Sequence, residues 1–160
     1  MNYNFTDSVL LVIRHGEFDK FGRMTEDSFK QALSFGQTHL SNITLAGVVI
    51  SEKIRTLITA ATICRGGGAQ TDSGFCSLHD SGSDDIAQIK TELIKICLQI
   101  IDKNKKGVGG NLLMVTHLPI LIAINKEAGG NSALVFPPLS GLMINLDPLS
   151  GKFTIIERMC

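Results

Sequence analysis

The sequence predicts an α/β fold: a three-layer α/β/α sandwich with a mainly parallel central sheet and a C-terminal antiparallel hairpin. Three observations carry this prediction. The opening run Val9-Leu10-Leu11-Val12-Ile13 is apolar at every position, as a strand covered on both faces must be. Short apolar runs then alternate with longer segments of helical period, the order that builds parallel βαβ units. Near the end, Ser140 to Leu146 and Lys152 to Glu157 flank the turn-forming Asp147-Pro148-Leu149-Ser150-Gly151.

The elements follow in order. After the first strand, Thr25 to Leu40 reads as a helix. Thr25 suits its N-cap, and Glu26 and Asp27 bring negative charge to its first turn. Gly47-Val48-Val49-Ile50 is a second strand. Lys53 to Cys64 is a second helix, which Gly66-Gly67-Gly68 should stop. Phe75 to Leu78 is a short third strand. Ser83 to Lys103 has the clearest helical period, with Ile86, Ile89, Leu93, Ile96, Cys97, Ile100 and Ile101 on one stripe. Asp84 and Asp85 fall in its expected first turn. Leu112 to Val115 is a fourth strand, Ile120 to Glu127 a further helix, and the hairpin closes the chain.

The bulk properties narrow the function. The chain has 160 residues, which fits a single domain spanning 1–160 with its own core. Hydrophobic residues make up 44% and charged residues 19%, a balance that excludes a disordered chain. Fifteen basic residues offset fifteen acidic ones, so there is no electrostatic footprint for nucleic acid or a membrane surface. The cysteines at 64, 76, 97 and 160 do not pair at CxxC spacing, which argues against a zinc site or redox dithiol. Reduced thiols and a first apolar run of only five residues lead us to expect a soluble, cytoplasmic protein.

Chemistry gathers where strands end. Ligands of open α/β sheets bind beyond the carboxyl ends of the strands. Arg14 and His15 follow the first strand, Arg55 opens the helix after the second, and His117 follows the fourth. Guanidinium groups match phosphate oxygens with paired donors, helix N-termini add backbone N–H groups, and a neutral imidazole can attack phosphorus. Two Arg and two His around one point would make a phosphoryl-transfer site needing no metal and no cofactor. An Arg-His pair at a strand end is also a common surface feature, so spacing alone leaves both readings open.

The same residues resemble the histidine phosphatase superfamily, which includes the phosphoglycerate mutases. Arg14-His15-Gly16-Glu17 after an apolar strand is similar to its opening RHG motif. Met24-Thr25 through Gln31-Ala32 resembles its "LT-x-x-G-x-x-QA" stretch, with Ser28 where glycine is usual. Ser51 through Arg55 and Thr59-Ala60 resembles "SP-x-x-R-x-x-x-TA", with Glu52 in place of proline. Leu112-Leu113-Met114-Val115-Thr116-His117-Leu118-Pro119 is similar to the "LLVSHLP" stretch of the small SixA-like phosphohistidine phosphatases.

The resemblance implies roles. His15 would be the nucleophile, with its other ring nitrogen donating to a backbone carbonyl. Arg14, Arg55 and His117 would hold the phosphoryl oxygens with it. Glu17 would support the arginines, carry a proton or order its loop. Asp80, after the third strand, is the first choice for proton donor, with His79 as a lesser candidate. Phe136 is a candidate for the rim. Arg65 to Gly74 leaves no room for the lid of larger relatives, so the site should be open. The implied partner is a phosphorylated protein or a small phosphorylated substrate. Hydrolysis of protein phosphohistidine is the leading activity; hydrolysis of small phosphate esters and an inactive phosphate-binding module are the alternatives. Nothing in the sequence sets the oligomeric state.

Overall fold

The computed structural model describes residues 8–41, 43–71, 75–78, 85–103, 111–147 and 149–159. Among them seven strands form one sheet: β1 (Ser8–Arg14), β2 (Thr44–Ser51), β3 (Gln70–Thr71), β4 (Phe75–Leu78), β5 (Asn111–Thr116), β6 (Gly141–Asp147) and β7 (Lys152–Met159). Four helices accompany it: α1 (Glu26–His39), α2 (Ile54–Gly67), α3 (Ile86–Lys103) and α4 (Leu118–Glu127). The strand order is β3-β2-β5-β1-β6-β7, with β4 also paired to β2. The strands β1 to β5 run parallel; β6 and β7 form the antiparallel hairpin that the sequence predicts.

Strand β1 lies inside the sheet, between β5 and β6. Its side chains alternate between two cores. Leu10 and Val12 join Leu93, Ile96, Leu121 and Ile124 of α3 and α4, while Leu11 and Ile13 join Phe35, Ala60 and Ile63 of α1 and α2. Both faces are covered, which is why Val9 to Ile13 carries no polar position. Each such side chain contributes about 1.5–3 kcal/mol through burial.

The helix ends differ from expectation in two informative ways. Helix α2 does not stop before the glycines; it runs through Gly66 and Gly67 and ends with Gly68 in the left-handed region at φ +60°. The reason is packing against α1. A β-carbon on Gly66 would lie 2.1 Å from Leu33 O, and one on Gly67 2.6 Å from Gly36 O. These glycines are a contact surface between two helices, and only the third is a stop. At α3, Asp85 precedes the helix and caps it, its Oδ1 accepting from Ala87 N–H at 3.0 Å. The first turn of α3 holds no acid, so Asp85 serves as a cap and not as a first-turn charge.

Strand β3 is new relative to the sequence reading. Two residues pair with Thr44 and Leu45, too few to show any period. Thr25 caps α1 as expected, accepting from Ser28 N–H, and His39 in its last turn packs on Phe35 with ring centroids 4.5 Å apart. No helix among the described residues is long and apolar enough to cross a membrane. His79, Asp80, Asp84, Lys105, Lys106, Pro148 and Cys160 lie outside the described residues, as do the side chains of Ile100 and Ile101.

Candidate active site

Because β1, β2 and β5 are parallel, their carboxyl ends share one edge of the sheet, and the site grows from that edge. Strand β1 ends at Arg14, whose backbone is fastened on both sides. Arg14 N–H donates to Ser140 O at 2.9 Å, Leu139 N–H to Arg14 O at 3.1 Å, and His15 N–H to Thr116 O at 3.0 Å. Below, the buried hydroxyls of Ser51 and Thr116 sit 2.9 Å apart and join the ends of β2 and β5.

His15 is half-buried, and its Nδ1 lies 2.7 Å from Gly16 O. A carbonyl oxygen only accepts, so Nδ1 carries the proton and Nε2 keeps its lone pair. Burial holds the imidazole below its ordinary pKa of 6.5, and the charges of Arg55, Arg14 and Lys53 push the same way; the bond to Gly16 O acts in the opposite sense. These effects favour the neutral ring, and the bond to Gly16 O favours the tautomer with its lone pair on Nε2.

The surrounding groups are cationic or donors. Arg14 Nη1 donates to Phe136 O at 2.7 Å, while its Nε is buried with no hydrogen-bond partner among the described residues. That guanidinium is anchored at one nitrogen by the Phe136 carbonyl. Arg55, in the first turn of α2, is exposed. His117 stands at the N-cap position of α4, its ring centroid 5.2 Å from that of His15 and inclined at 69°. Neither α2 nor α4 has an acid in its first turn, so no first-turn carboxylate offsets their positive ends beside the site. Arg14, His15, Gly16, Glu17, Phe18, Thr25, Arg55 and Pro138 together line a shallow concavity of about 380 Å³.

The structure thus brings together four of the residues expected from sequence, Arg14, His15, Arg55 and His117, and sets Glu17 on the wall. Asp80 lies outside the described residues. Phe136 is a correction: its side chain is 1% exposed, in the core, and only its carbonyl reaches the site. Pro138 forms the wall that Phe136 was expected to supply. Two supporting residues escaped the sequence reading as site members. Thr59 Oγ1 accepts from Gly16 N–H at 3.2 Å and donates to Arg55 O at 2.8 Å, bridging the two halves of the site. Its position four residues after Arg55, on the same helix face, was a usable signal. Ser28 is the second. No three His, Cys, Asp or Glu side chains gather among the described residues as metal ligands would.

No protein-family model matches the sequence, and no curated protein matches it. Solved structures do. The protein histidine phosphatase SixA complexed with tungstate is 16% identical, covers 94% of this chain and 96% of its own, and has a TM-score of 0.70. A phosphoglycerate mutase from Bacillus anthracis str. Sterne is 17% identical over 96% of this chain and 93% of its own, with a TM-score of 0.63. A mycobacterial glucosyl-3-phosphoglycerate phosphatase is 12% identical over 94% and 97%, with a TM-score of 0.59. From the strand order to the closing hairpin, this chain has the fold that SixA shares with the phosphoglycerate mutases.

Proposed function

We propose that the protein is a phosphatase that carries its phosphoryl group on His15, and that its substrate is a phosphohistidine in another protein. One observation carries the reading: the His15 Nδ1–H to Gly16 O bond, which leaves Nε2 as the nucleophile amid two guanidiniums and a second imidazole.

The reaction has two halves. Nε2 of His15 attacks phosphorus, the P–N bond of the substrate breaks, and the leaving imidazole takes a proton. Water then attacks the phosphoryl group, the bond to Nε2 breaks, and inorganic phosphate leaves while Nε2 recovers its lone pair. Arg14 and Arg55 hold the equatorial oxygens, His117 donates to the same oxygens, and the ends of α2 and α4 add to the positive field. Strand β4 is parallel to β2, so its carboxyl end, Leu78, lies at the same edge of the sheet. Asp80, two residues after Leu78 in the sequence, is our choice to supply the leaving-group proton; Glu17, on the wall of the concavity, is a candidate supporting carboxylate.

Protein phosphohistidine is favoured over a sugar phosphate on two grounds. A leaving imidazole takes up its proton near neutral pH and needs less acid assistance than an alkoxide. The concavity is shallow, with Arg55 and Glu17 exposed at its wall, and suits a phosphorylated side chain on a protein surface better than an enclosed metabolite. The fold itself hosts both kinds of enzyme, since SixA and glucosyl-3-phosphoglycerate phosphatase each have it.

The test is a panel of phosphoryl donors with trapping of the phosphoenzyme. The wild type should release phosphate from phosphohistidine in protein, and an alkaline denaturing quench at early times, which spares the acid-labile P–N bond, should catch label on His15. His15→Ala should retain its fold and lose turnover by more than about 10⁴-fold. Activity on sugar phosphates with none on phosphohistidine would move the substrate to small esters. Absence of label on His15 with every donor would leave a phosphate-binding module.

A further inference from the structure

The peptide unit between Gly16 and Glu17 offers a polar group on each side, and its planarity ties their directions together. Its carbonyl accepts from His15 Nδ1 at 2.7 Å. Its N–H, that of Glu17, donates to Ser28 Oγ at 2.7 Å. Ser28 is 3% exposed and sits in the first turn of α1, where its own N–H is held by Thr25 Oγ1 at 3.3 Å. Thr25 N–H in turn donates to Glu17 O at 3.0 Å. On the other side, Gly16 N–H is held by Thr59 Oγ1. Any rotation of the Gly16–Glu17 peptide must therefore break the bond to Ser28 and the bond to His15 together.

The fit between Gly16 and Ser28 is specific. A β-carbon on residue 16 would lie 2.7 Å from Ser28 Oγ, so the hydroxyl occupies space that only a glycine leaves open. A glycine at position 28, the residue usual in the motif that this segment resembles, would have no atom to receive Glu17 N–H.

We propose that Ser28 is a positioning residue: its hydroxyl fixes the plane of the Gly16–Glu17 peptide, and that plane fixes the tautomer and orientation of the His15 imidazole. This rests on the reading of His15 as nucleophile for its effect on turnover, though the effect on the ring stands by itself. Ser28 touches neither substrate nor reacting atoms. It acts through one peptide bond. Without the hydroxyl the carbonyl swings away, Nε2–H competes with Nδ1–H in the neutral ring, and part of the population has no lone pair to offer.

The experiment compares wild type with Ser28→Ala, Ser28→Cys and Ser28→Thr. Ser28→Cys keeps the shape but offers sulfur, a weak acceptor. Ser28→Thr keeps the hydroxyl. Nitrogen-15 spectra of the histidine rings at about pH 8 report which nitrogen of His15 is protonated, with His15→Ala to assign its signals. Wild type and Ser28→Thr should show the Nδ1–H form alone. Ser28→Ala and Ser28→Cys should show a mixture, with kcat about tenfold lower and KM within about twofold, the size of one net hydrogen bond. The bond to Gly16 O raises the His15 pKa, so its loss should also move the acid limb of the pH profile downwards.

A folded Ser28→Ala or Ser28→Cys protein with the wild-type tautomer would overturn the proposal, because a purely structural serine changes thermal stability and not the ring. If the alanine variant does not fold, the cysteine variant decides alone. If the wild type transfers phosphate from no donor, the reading of His15 as nucleophile fails, while the ring spectra still decide the role of Ser28.

Discussion

Gly36→Ala sets two physical effects against each other, and the contact between α1 and α2 decides which wins. Gly36 lies inside α1, where alanine is favoured over glycine by about 1 kcal/mol through backbone entropy alone. Yet a β-carbon there would stand 1.8 Å from Ile63 O, 2.8 Å from Ile63 C and 2.9 Å from Gly67 N. All three obstacles are main chain, so no rotamer change relieves them. Ordinary contact begins near 3.4 Å, so the helices must part by about 1.5 Å, a gap that forfeits a large share of the dispersion contacts across the interface. Overpacking of this kind costs about 3 kcal/mol, leaving a net loss of about 2 kcal/mol after the helical gain. For a chain of this length that lowers Tm by about 4–8 °C. Thermal melts and urea titrations with unchanged slope would measure it, beside Gln37→Ala on the exposed face of α1 as a control expected within about 0.5 kcal/mol. A Gly36→Ala protein as stable as the wild type, or more so, would refute the reasoning. Activity should fall as well, since α1 carries Ser28 and α2 carries Arg55 and Thr59.

Two further outcomes follow from the electrostatics. The proposed mechanism requires a neutral His15, and Arg55 disfavours the protonated ring, so Arg55→Gln should raise the His15 pKa and shift the acid limb of kcat/KM to higher pH. The same variant should lose about 10²-fold in kcat through the missing phosphate contact, and an unmoved or lowered limb would contradict the assignment. Burial pushes the Cys64 thiol up to about 11 and the Cys97 thiol to about 12, so both should resist alkylation at about pH 8 until the protein unfolds. Mass spectrometry of the native protein after alkylation checks this; rapid labelling of either residue would place it on an accessible surface.

Much of this architecture was written locally. The uniform apolar character of Val9 to Ile13 announced a strand covered on both sides, and Thr25 announced the start of α1. His15 and Arg55 could be placed because each follows the end of a parallel strand, and parallel strands end together. The parts that escaped are those where a distant partner changes what a residue means. Gly66 and Gly67 look like a helix stop in sequence, but Leu33 and Gly36 of the neighbouring helix make them a docking surface. Phe136 looked like a rim residue beside two prolines, yet the core claimed its ring and the site received its carbonyl. Ser28 was visible only as a departure from a familiar pattern; its hydroxyl gains meaning once Gly16 is known to face it.

The placement of β1 between β5 and β6 also orders the assembly of the chain in time. During synthesis β1 emerges early, but its partners at Thr116 and Gly141 are made roughly a hundred or more residues later. Until then Arg14 has no strand on either side and His15 has no Thr116 carbonyl to hold its backbone. The two residues that would meet the phosphoryl group are thus among the last to reach their native surroundings. A stalled or truncated chain ending before β5 carries the Arg-His pair and none of its chemistry, so activity itself reports that nearly the entire sheet has closed.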